Sequence, residues 1–556
     1  MASTLLDLYD FWKANPALWF NSTTHDDLQL EKQFRHLFNG KYSADDALFN
    51  DIKQWTGYVI LYDQIMRHVN RVSESHVKTP STFIITCYTK YNELRELMSD
   101  FEFMWCLMPL RHTHDMKHVS FVIDESWRRL EDSKSAEIKR YLTATYERYA
   151  KLCINRDADN LAFYSVEDQS QTELNLSHDV LAILDERCHK FNISQFIKVD
   201  DPLIQIMRDF ISRNNLKGEL ITVSLSGGVD SMVCSYLLWA IGQPMQAVHI
   251  NYNNRAECIH EEELIINWCN LLGIPLYIRR ITEINRPKCM AYNMREVYES
   301  YTRDMRFYAY VNSAIGGQSY RLHWDYNPVQ RYCRNTDSLP TPGGLRIQCE
   351  RYVMLGHNKD DCIENILTNT ASQSHYENLC GITEYSTQDH YGQPITFLRP
   401  LLATMKQDIY TFAGKAHIPY LVDSTPKWSQ RGKIRDIIRP ALESWNPLII
   451  PGFVELSAKM TEMAKLIDTL IPETIPEFIN IDAVPKNPMY WEQIFKKQGF
   501  GHYVTQKTMT CWTEKLEYLC RHPNKLVLNQ PIKFVICKGK VISIIRYKNC
   551  IKFIVV

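Results

Sequence analysis

Apolar positions follow two different periods along this chain. Up to about residue 200 they recur at helical spacing, as in Trp55, Tyr58, Val59 and Tyr62, with few glycines and polar connections. Asp179–Lys190 reads as a further helix, and Asp200-Asp201-Pro202 as the start of another. From Leu220 the pattern changes. Short apolar runs at Leu220–Val223, Gln246–Ile250 and Pro275–Arg279 read as strands, and Met232–Ile241 and Glu261–Leu272 between them read as helices. Strands separated by helices imply a parallel, doubly wound sheet with its ligand at the carboxyl ends of the strands. Beyond Pro451, helical runs at Phe453–Leu470, Trp491–Gln498 and Cys511–Leu519 give way to Ile532–Ile536 and Val541–Ile545. Lys538-Gly539-Lys540 signals a hairpin, and Ile551–Val556 could add a third strand. The expected fold is multidomain: an all-α domain over 1–199, a central α/β doubly wound parallel sheet over 200–450 and a small α+β domain over 451–556.

Composition narrows the class. A hydrophobic content of 45% and a charged content of 23% are ordinary for a globular protein. No run is long and apolar enough to span a bilayer and no secretory signal is evident, so a cytoplasmic protein without a membrane partner is expected. The 16 cysteines contain no C-x-x-C pair, which argues against a disulfide frame or a zinc site. Net charge is −1, but it is segregated: Lys486–Val556 holds thirteen Lys or Arg against Glu492, Glu514 and Glu517. A basic end on an otherwise acidic chain suits RNA, or a solubilising surface.

The chemistry is concentrated in Ser224-Leu225-Ser226-Gly227-Gly228-Val229-Asp230-Ser231, between a strand and a helix. Two glycines allow a tight turn and close approach to an anion, and the N–H groups opening the next helix point at it. Ser226 and Ser231 add hydroxyls, and Asp230 can hold Mg²⁺ against phosphate oxygens. No Lys follows the glycines, so this is not a Walker loop. The S-G-G-x-D-S pattern resembles the pyrophosphate loop (PP-loop) of the N-type ATP pyrophosphatases, which implies ATP chemistry at the α–β phosphate bond, with Ser226, Gly227, Gly228, Val229 and Ser231 binding ATP.

Further blocks, in order, resemble the tRNA(Ile)-lysidine synthetase family. They are Val248-His249-Ile250-Asn251 through Ala256; Thr302-Arg303-Asp304-Met305-Arg306-Phe307; Leu355-Gly356-His357-Asn358-Lys359-Asp360-Asp361 through Asn365; and Leu398-Arg399-Pro400-Leu401 with Lys406, Asp423-Ser424-Thr425 and Arg431-Gly432-Lys433-Ile434-Arg435. Asn251, Asn253, Asn358, Gly432 and Lys433 depart from the family pattern. Asp360 or Asp361 and Glu364 share a helical face and could hold Mg²⁺ or orient an amine, with Glu364 the candidate general base. His357 could touch phosphates or the reacting base. Arg303 and Arg306 could stabilise charge on the α-phosphate, Arg303 as a catalytic residue and Arg306 in ATP binding. Arg431, Lys433 and Arg435 are candidate RNA contacts.

Two stretches stand apart. Asp10-Phe11-Trp12 with Trp19-Phe20, Leu61 to Arg67 and Met108 to His112 resemble a bacterial family of unknown function with tetratricopeptide-like helices. Asp63, Gln64, Arg67 and His112 there could form a polar pocket or a satisfied buried network. An insertion, about Val311 to Glu350, interleaves Trp324, Tyr326 and Tyr332 with Arg321, Arg331, Arg334 and Arg346, which suits stacking on unpaired bases or a passive loop.

The lysidine-synthetase resemblance implies an ATP-dependent ligase that adenylates C2 of an anticodon cytidine in tRNA and installs free lysine. ATP and Mg²⁺ are the cofactors it implies, and tRNA, lysine and a second copy of the chain (a homodimer) the partners. A related RNA-modifying enzyme with another nucleophile or base, a small-molecule ligase and a non-catalytic RNA-binding scaffold stay open.

Overall fold

The structure is a computed structural model and describes residues 4–19, 22–39, 42, 51–73, 76–153, 161–164, 173–184, 191–192, 201–321, 351–372, 377–390, 392–422, 430–499, 505–522, 531–537, 540–547 and 549–555. Asp423-Ser424-Thr425, the tip of the tail hairpin at Lys538-Gly539, and all of the insertion beyond Arg321 lie outside them. The chain forms two compact units, Met1–His357 with Glu384–Ser424, and Asn358–Thr383 with Thr425–Val556.

The first unit is built on a seven-stranded sheet: β1 (Leu161–Tyr164), β2 (Ile221–Ser224), β3 (Met245–Asn251), β4 (Leu276–Arg280), β5 (Tyr352–Met354), β6 (Tyr385–His390) and β7 (Gln393–Leu398). Their spatial order is β1-β4-β3-β2-β5-β7-β6. The five inner strands are parallel, and β1 and β6 close the edges antiparallel. Every residue of β3 is buried, as expected for a parallel strand covered on both faces. From β2 the chain steps outward to β3 and β4, then returns to β5 on the other side of β2. The order reverses between β2 and β5, which opens the crevice where doubly wound sheets bind ligands.

Each face of the sheet carries its own core. One joins the helix Val229–Ala240 to Cys258–Leu272 and Lys406–Lys415 through Met232, Tyr236, Trp268 and Phe412. The other is continuous from Leu5 to Phe397, so the N-terminal helices share their apolar interior with this side of the sheet. The helix Arg295–Arg321 is the go-between: Tyr301 meets Tyr146 edge-on at 5.6 Å and Phe307 meets Phe397 of β7 at 5.5 Å.

The second unit contains the helices Lys359–Ala371, Ile449–Leu470, Pro488–Lys497 and Gln506–Arg521 and a four-stranded antiparallel sheet. Its strands are β8 (Phe478–Asn480), β9 (Ile532–Cys537), β10 (Lys540–Tyr547) and β11 (Cys550–Val555), ordered β8-β11-β10-β9. The three tail strands match the sequence expectation; β8, three residues long, was not legible. Trp491, Phe495, Trp512 and Phe553 form its aromatic core.

Two buried imidazoles and one part-buried imidazole make the first unit acid-sensitive. His68, His112 and His249 are each held below the ordinary histidine value of 6.5, with burial the largest cause; Asp27, Asp63 and the Leu225 carbonyl partly oppose it. The unfolded chain therefore binds these protons first. This contribution is present above about pH 6.5 and lost as pH falls through the folded values. The melting temperature is expected to be flat from about pH 7 to 8 and to drop below about pH 6.5. A melt that is unchanged or rises on acidification would contradict it.

Candidate functional site

The sheet crevice positions the glycine loop. Leu225, just after β2, donates its N–H to Val248 O at 2.9 Å, and His249 Nδ1 donates to Leu225 O at 2.9 Å. Two β3 residues thus fix the start of the loop. Gly227 turns the chain at φ +81°, a conformation that disfavours any side chain, and its carbonyl accepts from Leu421 N at 2.9 Å. Ser226 N donates to Ser231 Oγ at 3.1 Å, and Ser231 Oγ–H donates to Gly228 O at 3.0 Å. The two serine hydroxyls lie 3.1 Å apart. Ser231 is buried and stitches the loop, whereas Ser226 is exposed.

Gly228 caps the helix Val229–Ala240, and no side chain caps it. A helix start left without a side-chain acceptor presents its N–H groups and dipole to an anion. Asp230, in the first turn, lies 2.9 Å from Lys406 Nζ at the head of the helix Lys406–Lys415. The cation at this mouth, sought in vain directly after the glycines, comes from 176 residues downstream.

The neighbouring strand end adds its own groups. Gly356 lies so close to the loop helix that a Cβ there would fall 2.8 Å from Asp230 C and 2.9 Å from Ser231 N. His357 Nδ1 accepts from Arg399 Nε at 3.1 Å, and Arg399 Nη1 donates to Ser386 Oγ at 2.9 Å. With Nδ1 accepting, neutral His357 carries its proton on Nε2 and can donate a hydrogen bond there. Arg306 is half-buried beside Tyr310 and Tyr252, and the Tyr310 hydroxyl lies 2.7 Å from Ser224 Oγ, at the foot of the loop. Arg303 is exposed, its guanidinium 5.6 Å from the centre of the Phe307 ring. The two arginines, three apart, therefore have different neighbours.

The acidic face belongs to the second unit. Glu364 is buried; its Oε1 accepts both Arg435 Nε (3.0 Å) and Nη2 (2.7 Å). Its Oε2 makes no hydrogen bond among the described residues, and Arg431 Nε lies 3.9 Å from it. Burial raises the Glu364 carboxyl above its ordinary value, against the pull of Arg435 and then Arg431. Asp360 pairs with Arg439, which the sequence reading did not single out. Asp361 closes a capping box by accepting from Asn358 N at 3.0 Å, with Arg431 Nη1 at 3.7 Å. Lys433 is exposed. The candidate base and the candidate RNA arginines are thus partners of one another.

Among the described residues there is no group of three or more His, Cys, Asp or Glu side chains able to hold a metal. The donor set at the loop is one carboxylate, Asp230, at a helix start. That fits Mg²⁺ arriving on nucleotide phosphates, since this ion keeps water and takes one or two protein carboxylates. No helix among the described residues is long and apolar enough to cross a membrane.

Residues 202–322 and 345–443 match the family model described as PP-loop domain, and residues 8–160 that described as bacterial protein of unknown function (DUF924). Similar curated proteins include the tRNA(Ile)-lysidine synthase of Bacteroides thetaiotaomicron, 24% identical over 281 residues, 49% of this chain and 56% of the relative. That of Staphylococcus aureus is 24% identical over 272 residues, 48% of this chain and 54% of the relative. The chain spans about half the length of these relatives. Among solved structures, a U34-tRNA thiolase from Methanococcus maripaludis is similar at 16% identity and a TM-score of 0.31, over 47% of this chain and 78% of that one.

Proposed function

We propose, from the PP-loop match of residues 202–322 and 345–443 behind an N-terminal DUF924 region, that this protein is an ATP-dependent tRNA-modifying ligase. In its finer form the reading is lysidine formation. The cytidine C2 carbonyl oxygen attacks the α-phosphorus of ATP, pyrophosphate leaves, and the ε-amine of lysine then displaces AMP from C2. The observation that carries the reading is the loop: an uncapped helix start, a φ-positive glycine and the Asp230–Lys406 pair at one strand end.

Each group then has a task. The loop N–H groups and Lys406 take up the charge of the departing pyrophosphate. Asp230 would hold Mg²⁺, which when bound would supply charge neutralisation to the nucleotide phosphates. Arg306 and Arg303 act on the α-phosphate, and His357 donates from Nε2. Glu364 accepts the proton released by the incoming amine, and Arg431, Lys433 and Arg435 contact RNA with the basic tail. Asp360 and Asp361 remain candidates for a second cation contact. A cytoplasmic location, and a homodimer, belong to the same reading.

Incubation with ATP, bulk tRNA and labelled lysine should transfer label to RNA. AMP release that needs tRNA but not lysine would favour another nucleophile. No tRNA-stimulated pyrophosphate at all would leave a scaffold. A pH test addresses the base. Arg435 lowers the Glu364 carboxyl, so Arg435→Gln must raise it. The acid limb of the rate profile should move to higher pH. A limb that stays or moves the other way would remove Glu364 from the base role.

A further inference from the structure

A second polar centre lies in the N-terminal helices, which the reading above does not use. The helix Ile52–Ile60 runs into Met66–Val72 through a π-helical turn, Leu61–Ile65, that contains Asp63. Such turns insert one residue, weaken the helix locally and recur at functional sites. Asp63 is buried there and accepts from His112 Nδ1 at 2.9 Å, Arg67 Nη2 at 3.0 Å and Gln64 Nε2 at 2.5 Å. His112 ends the helix Asp100–His112, and 18% of its side chain is exposed. Because Nδ1 serves Asp63, the lone pair of the neutral ring is on Nε2.

Charge is out of balance around it. Arg67 pairs with Asp63 and Arg148 feels the charges of Asp63, Arg67 and Arg111, so three guanidiniums share the field of one carboxylate. The carboxylate is taken by Arg67 and His112. Among the described residues Arg111 bonds only neutral acceptors, Thr145 Oγ1 at 3.1 Å, Ala144 O at 3.0 Å and the Met108 sulfur. Among the described residues Arg148 bonds only the carbonyls of Arg111, His112 and Thr113. Part-buried cations without counter-ions are unfavourable unless something negative completes them. Tyr141, one turn before Thr145, has a buried hydroxyl with no partner among the described residues. It feels both the Arg111 guanidinium, 5.7 Å from its ring centre, and the Asp63 carboxylate. Buried polar groups are ordinarily satisfied, and here an unpaired hydroxyl lies beside two positive charges that have no carboxylate of their own.

We propose that Asp63, Arg67, Arg111, His112, Tyr141 and Arg148 form a binding site for a small dianion of the phosphate-monoester class, with the His112 ring at its edge, where a bound ligand covers Nε2. Two excess positive charges match a dianion. The guanidiniums and the Tyr141 hydroxyl donate to its oxygens, and Arg67, 43% exposed, marks the way in.

The test needs a residue-resolved readout, because the PP-loop region is itself built for phosphate. Carbethoxylation of the full chain at about pH 7, read by peptide mass spectrometry, reports Nε2 of each histidine separately. Inorganic phosphate is the probe, and exposed His76 and His178 are internal controls. For a Kd near 1 mM, about 10 mM phosphate should slow modification at His112 about tenfold and leave the controls unchanged. In Arg67→Gln, a partly exposed position where folding should survive, the protection should be lost while modification without phosphate persists. Protection that survives in Arg67→Gln, a His112 that never reacts, or no slowing at about 100 mM phosphate would each overturn the site.

Discussion

Asp230→Asn is expected to lower tRNA-dependent pyrophosphate release by about 10²–10³-fold, the effect of removing one preorganised charge from a developing transition state. The substitution keeps volume and the capacity to accept a hydrogen bond, but removes the negative charge that meets Lys406 at 2.9 Å. Both side chains are about one-fifth exposed, so loss of the pair costs the fold no more than about 1 kcal/mol. The melting temperature should stay close to that of the parent. Affinity for tRNA should also hold, because the Lys/Arg-rich stretch from Lys486 onward is untouched. Activity within a few-fold of the parent would mean that the carboxylate does not meet the nucleotide. A shortened tail ending at Pro485 should give the opposite pattern, with tRNA binding lost first.

Gly356→Ala should damage the same site from the neighbouring strand, without altering any charged group. The new Cβ would sit 2.8–2.9 Å from Asp230 C, Asp230 Cβ and Ser231 N, inside ordinary contact distance. Two of these are backbone atoms, and the helix carrying them is pinned by Met232, Val233 and Leu237 in the core, so no flexible tip can give way. The expected cost is about 1–3 kcal/mol of overpacking. A displacement of the loop approaching 1 Å would add a loss of about 10²-fold in turnover. Melting and initial-rate measurements separate the two. A Gly356→Ala protein with parental stability and rate would show that the strand end and the loop helix are not held at this separation.

The two sites were legible to different degrees, and the reason is range. The glycine loop, the strands around it and the tail strands depend on neighbours a few residues apart. Those neighbours carry the signal of turn residues and apolar period. The groups that complete the loop do not. Lys406 reaches Asp230 across 176 residues, Arg399 reaches His357 across 42, and Arg439 reaches Asp360 across 79. Each arginine and lysine alone looks like a solvated surface charge. Arg435, read along the chain as an RNA contact, also donates from Nε and Nη2 to Glu364, a partner 71 residues away. The edge strands β1 and β6 escaped because antiparallel closure of a parallel sheet leaves no local signature, and β6, Tyr-Ser-Thr-Gln-Asp-His, has almost no apolar face.

The amino-acid order by itself determined the phosphate-turning loop, the α/β alternation behind it and the basic end, because backbone freedom, side-chain period and charge count are properties of contiguous residues. Only the tertiary structure decided which cation faces Asp230, which nitrogen of His357 carries the proton, and that three guanidiniums share the field of one carboxylate, Asp63. Those outcomes depend on burial and on partners brought together by folding, where the energy of a charge is set by its surroundings and not by its place along the chain.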